Sequence, residues 1–145
     1  MEAEVSRTLN QLAITLGLLL IATPAWADPC TAPLPKAQST FSGVVRYVGD
    51  GDGLCVGATA DPTTWIEVRL ADFYAPELRE PGGQDARRTL ERLAMGKVAD
   101  CVAGRRSYDR VVATCRIGIA EIGNLMRAAG VEEGGNGRTS PVHGR

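Results

Sequence analysis

Strand-like and helix-like patterns alternate along the chain in a short, regular order. The stretch Phe41 to Val48 (FSGVVRYV) is β-branched and aromatic and runs into the turn Gly49-Asp50-Gly51-Asp52-Gly53, which predicts a strand and a tight reversal. A second short strand is expected over Leu54–Val56, followed by a Gly/Asp/Pro loop at 57–64. From Trp65 to Ala71 the residues alternate, with Ile66, Val68 and Leu70 on one face and Glu67 and Arg69 on the other. Arg69 therefore projects away from the core. A helix is predicted over 83–95, since Ala86, Leu90, Leu93 and Ala94 make one apolar stripe and Gly96 suits the position just beyond its end. Lys97–Val102 and Val111–Ile119 read as strands on either side of a polar loop (GRRSYDR), and a short second helix spans Ile122–Ala129. Three strands, a helix, two strands and a helix is the order of an OB-fold, a small five-stranded β-barrel with helices of the α+β class.

The ends read differently. Leu12 to Ala22 is an apolar run too short to span a bilayer comfortably, and Ala25-Trp26-Ala27 follows it. Together they predict a signal peptide over residues 1–27, cut before Asp28; an uncleaved anchor is the second reading. Residues 28–40 are rich in Pro, Ser and Thr and are expected to form an extended arm. The barrel is placed at 41–131. The tail, 132–145, has little to bury and is expected to be disordered.

Composition narrows the function. All four cysteines, Cys30, Cys55, Cys101 and Cys115, follow the expected cut, and the single histidine is His143 in the tail. A Cys/His zinc site is thereby disfavoured, and an oxidising, periplasmic or extracellular setting with two disulfides is favoured. Of three possible pairings, Cys101–Cys115 with Cys30–Cys55 fits best: the first links two consecutive strands, the second pins the arm. The mature chain is close to neutral, so no bulk positive field gathers nucleic acid. Attraction for phosphate falls to individual arginines, because Lys36 and Lys97 are the only lysines.

Three stretches hold the candidate chemistry: Gly49 to Asp52, Arg69 to Pro76-Glu77, and Tyr108-Asp109-Arg110. They supply carboxylates for a hard cation, a carboxylate able to act as a base, and two planar guanidiniums, which is what attack on a phosphodiester requires. Singly, each is an ordinary turn or surface residue. Asp50 and Asp52 suit a hairpin turn, and no EF-hand follows them.

In order and spacing, G-D-G-D, a strand carrying Val68-Arg69-Leu70, then Ala75-Pro76-Glu77, a helix with Gly83 and Ala86, and Tyr108-x-Arg110 resemble the staphylococcal-nuclease-like (thermonuclease) family over roughly residues 41–131. The family pattern is G-D-T, a strand ending R-L-x-x-x-D-x-P-E, and Y-G-R. The resemblance implies an OB-fold endonuclease that hydrolyses DNA and RNA with Ca²⁺. It gives Asp52 as a metal ligand, Arg69 as the arginine on the reacting phosphate, Glu77 as the base on water, and Arg110 as the arginine that steadies the transition state. The cleaved protein is expected to be a monomer with no stable membrane association.

Three departures stand out. Tyr74 occupies the position of the family's second metal aspartate, which leaves Asp72 or Asp50 as substitute ligands. Gly53 replaces the threonine. The family's C-terminal helix has no counterpart. A non-catalytic OB-fold module that binds nucleic acid, glycan or protein in the cell envelope is therefore the alternative expectation.

Overall fold

The computed structural model describes residues 28–134. The expected signal peptide, and the tail from residue 135 onwards, lie outside the described residues. Strands β1 (Thr40–Val48), β2 (Gly53–Gly57) and β3 (Trp65–Leu70) form an antiparallel meander, with a 3-10 turn at Pro62–Thr64 before β3. Helix α1 (Gly83–Ala94) precedes the hairpin of β4 (Val98–Ser107) and β5 (Arg110–Ile117). A two-residue strand β6 (Ala120–Glu121) and helix α2 (Ile122–Ala128) follow.

β1 pairs with β4, and β3 pairs in parallel with β5, so the five long strands close on themselves. This is the OB-like α+β barrel that the element order predicts, with β6 as a short addition at the end of β5. Closure removes the unpaired edges that a five-stranded sheet would otherwise expose.

Alternation decides what fills the barrel. Leu54, Val56, Val68, Leu70, Val111 and Ala113 are buried in one cluster with Leu90 of α1 and Ile122 and Met126 of α2. In β1, a register shift between Val45 and Tyr47 inserts one extra residue, so Val45 and Val48 both reach the core and Tyr47 is turned outward. The Cys101–Cys115 disulfide joins directly paired residues of β4 and β5 on the core side, with Cα atoms 4.1 Å apart. Cys30–Cys55 ties the arm to β2. The arm also lies along the loop before β3, where the Ala32 N–H donates to the Trp65 carbonyl at 3.0 Å.

Two boundaries differ from expectation. The hairpin continues through the supposed polar loop: Arg106 pairs with Val111 and Ser107 with Arg110, leaving only Tyr108 and Asp109 in the turn. Backbone pairing needs no apolar side chains, and a bulge after Ala103 accommodates the one extra residue on β4. At Gly104 a Cβ would come within 2.7 Å of the Val112 carbonyl oxygen. The expected disorder of the tail also fails at its start. Glu133 accepts from the Tyr74 N–H at 3.2 Å and pairs with Arg127, and the Gly134 N–H donates to the Tyr74 carbonyl at 2.9 Å. A short polar segment can dock in this way through one carboxylate and one main-chain bond.

Candidate active site

The strand registers set the site. Val68 of β3 and Val111 of β5 are partners and both are buried, so the residues just before them, Glu67 and Arg110, face outward side by side. Across β2, Cys55 partners Glu67, and across β1, Tyr47 partners Cys55. One outward row thus reads Tyr47, Cys55, Glu67, Arg110. The next row is Gly53, Arg69, Val112. Arg69 and Arg110 are diagonal neighbours on one wall of the barrel, with Glu67 beside both.

Asp52 closes one end of this wall. It is 3% exposed, and its carboxylate accepts from the Ala75 N–H at 3.0 Å and lies 3.5 Å from the Arg69 guanidinium. Its own carbonyl accepts from the Leu70 N–H at 2.8 Å, which locks the turn onto β3. Asp50 folds back to accept from the Asp52 N–H at 3.1 Å. That bond explains Gly53, because a Cβ there would sit 2.7 Å from the Asp50 Oδ1.

Burial is the first cause that pushes the Asp52 carboxyl up, to about 6, and the charge of Asp50 adds to it; the Ala75 N–H and Arg69 pull it back. The fold therefore favours the protonated acid, and stability declines as pH rises through about 6. Asp52→Asn keeps an acceptor for Ala75 without the charge. It is expected to stabilise the protein by about 1–2 kcal/mol at pH 8 and by nothing resolvable at pH 4, measured by urea unfolding. An equal effect at both values would exclude this account.

The remaining expected residues are placed unequally. Arg110 is half-buried at the start of β5 beside Glu67. Glu77 is exposed, two residues beyond the amide that binds Asp52, and its carboxylate makes no hydrogen bond or ion pair among the described residues. Its backbone is fixed: the Glu77 N–H donates to Glu80 at 3.0 Å, and the Glu80 N–H returns to the Glu77 carbonyl at 2.8 Å. Asp72, an expected substitute ligand, is not brought to Asp52. Its Oδ2 accepts from the Gly123 N–H at 3.1 Å in the first turn of α2, and its carbonyl receives Arg127. The chain leaves the strand after Leu70 to bury Phe73 fully, which swings Asp72 towards α2. Tyr74 is half-buried, and its backbone is occupied by Glu133 and Gly134.

As a metal centre the site is lean. Among the described residues no three His, Cys, Asp or Glu side chains converge on one point. Asp50 and Asp52 form a carboxylate pair whose mutual repulsion a divalent cation would relieve. Such a pair fits a hydrated ion completed by water and substrate oxygens and does not fit an all-protein cage.

One acid of the site carries no motif that marks it in the sequence. Glu67 is pushed up to about 7, first by burial, then by a hydrogen bond with Asp28 and by the charges of Asp109 and Asp28, with Arg110 acting in the opposite sense. Burial, and then the charge of Asp28, which also bonds it, raise the Tyr47 phenol. The parity of Glu67 with Arg69 was a usable signal; the arrival of Asp28 was not, since it depends on the arm. A cavity of about 860 Å³ lies elsewhere, between α1, the loop after Pro76 and residues 129–134, and contains none of Asp52, Arg69 or Arg110.

No protein-family model matches the chain. Over 85 residues, 59% of its length, it is 33% identical to Protein ParB of Escherichia coli. That stretch is 40% of ParB, so the chain spans less than half the length of this relative.

Proposed function

We propose that this protein is an exported, metal-dependent nuclease that hydrolyses DNA or RNA phosphodiesters. The observation that carries the reading is the β3–β5 pairing, which sets Arg69 and Arg110 on one wall beside the buried carboxylate of Asp52. Two guanidiniums so placed can fork onto the non-bridging oxygens of one phosphate and meet the charge that builds during attack. Arg69 binds the reacting phosphate and Arg110 steadies the transition state. Glu77, whose carboxylate has no internal partner among the described residues, takes the proton of the attacking water. Asp52 and Asp50 would hold Ca²⁺, whose part is to neutralise phosphate charge and polarise the P–O bonds. Asp72 has no part in it.

Two disulfides support an oxidising compartment, the periplasm or the medium. Among the described residues no helix is long and apolar enough to cross a membrane. The expected monomer belongs to the same reading.

A second reading, an OB-fold binding module without catalysis, is favoured by one observation: only two carboxylates converge where a calcium site commonly gathers more ligands. A single experiment separates the two. Residues 28–145 are expected to cut single-stranded DNA with Ca²⁺ and to stop on chelation, and Glu77→Gln to reduce cleavage about 10²–10⁴-fold with unchanged thermal unfolding. Binding without cleavage at high Ca²⁺ would establish the module and end the nuclease reading.

A further inference from the structure

We propose that Glu67 is the acid that hands a proton to the leaving oxygen, with Asp28 as its positioning residue. The inference rests on the nuclease reading above and adds a residue that none of the family positions supplies.

The geometry carries it. Glu67 precedes Arg69 by two residues on the outward, half-buried face of the strand, so their side chains rise about 7 Å apart, the separation of neighbours along one face of a strand. Arg110 stands next to it across the parallel pairing. A phosphate held by both guanidiniums is thereby presented to the Glu67 carboxyl, while Glu77 approaches from the loop beyond Asp52. A base and an acid reaching the phosphate from different elements is what in-line displacement needs.

Burial first, and the arm after it, favour a proton on Glu67. Cys55 is Glu67's partner on β2, and although buried it lies outside the core cluster, beneath the arm that its disulfide to Cys30 secures. Two residues before Cys30, Asp28 lies against Gly49, where a Cβ would meet its Oδ1 at 3.0 Å. There it bonds both Tyr47 and Glu67. Two carboxyl groups in contact cannot both ionise cheaply, so the pair retains one proton near neutral pH. The groups facing Glu67 are Asp28 from the arm, with the α-ammonium that the cut leaves on it, Asp109 and Arg110 from the hairpin, and Arg69 on its own strand; the two arginines and the ammonium oppose the burial and the carboxylates that hold the proton. Tyr47 faces Asp28 from β1, and Arg87 and Asp50 act on that tyrosine.

The step balances. The water oxygen bonds phosphorus and its proton passes to Glu77. The bond from phosphorus to the leaving oxygen breaks with its electron pair, and the Glu67 proton moves to that oxygen. The products are a phosphomonoester and an alcohol. Solvent then restores the proton to Glu67 and removes the one on Glu77.

The test compares two phosphodiesters on the exported protein: a dinucleotide, whose alkoxide needs protonation, and the p-nitrophenyl ester of thymidine phosphate, whose nitrophenolate does not. Glu67→Gln is expected to lower kcat on the dinucleotide about 10²-fold while staying within about threefold of wild type on the nitrophenyl ester. The alkaline limb of the wild-type profile should vanish in this variant. Asp28→Asn keeps Glu67 but removes a neighbour that holds its proton, so its limb should move to lower pH. Equal slowing on both substrates, or none, would overturn the acid role and leave the nuclease reading standing. An unmoved limb in Asp28→Asn would overturn the positioning role, even if Glu67→Gln failed to fold. A wild type inert towards both esters would overturn the nuclease reading and this inference with it.

Discussion

Replacing Arg69 by lysine will lower cleavage of single-stranded DNA by about 10²–10³-fold, with the loss in kcat and little change in unfolding. Lysine retains the positive charge that Asp52 faces at 3.5 Å, so the turn between β1 and β2 keeps its neutralising partner. What it loses is the planar pair of donors needed to grip two phosphate oxygens at once. Arg69 is half-buried between Gly53 and Val112 on the barrel wall, and a shorter-reaching point charge there cannot recover the fork by moving. Single-turnover kinetics would measure the chemical step directly. A loss of less than about fivefold would mean that charge alone suffices and that no forked grip on phosphate operates.

The second large effect is expected at a residue with no chemistry. Gly83 opens α1, and a Cβ at this position would overlap the Glu77 carbonyl oxygen and lie 2.7 Å from the Glu77 carbonyl carbon. Gly83→Ala must push the Glu77 loop off the helix, with a cost of about 1–3 kcal/mol typical of overpacking. Cleavage should fall more than about tenfold, because the base moves with its backbone. Gly96 supplies the control. It has φ of 76°, but a Cβ there would meet nothing within 4 Å, so Gly96→Ala is expected to cost about 1 kcal/mol of backbone strain and to leave cleavage unchanged. Urea unfolding and initial rates on both variants check this; equal rates in the two would detach the loop from catalysis.

Much of the barrel could be read from local pattern. Trp65 to Leu70 alternates cleanly, so the outward direction of Arg69 followed from parity alone. α1 announces itself by Ala86, Leu90 and Ala94, and the glycine beyond its end. The readings that failed lie where the chain stops being periodic. Past Leu70 no parity applies, and nothing local says that Phe73 will turn inward and carry Asp72 to the N–H of Gly123. Gly104 to Ser107 looked like loop because its side chains are polar, whereas its hydrogen bonds are made by backbone. Glu67 was visible as a face-mate of Arg69, but its burial and its contact with Asp28, which raise its pKa, were not, because Asp28 is delivered through a disulfide from a segment with no periodicity at all.

The parallel pairing of β3 and β5 has a kinetic consequence. It joins strands from distant parts of the chain, across α1 and all of β4, and pairings of that kind form late because a long loop must close first. Arg69 and Glu67 ride on one side of that seam and Arg110 on the other. A chain that has collapsed but not zipped the seam therefore holds Arg69 and Arg110 on separate surfaces. On the nuclease proposal, activity becomes a report on completion of the barrel, and a polypeptide still unclosed carries the parts of the wall without the wall.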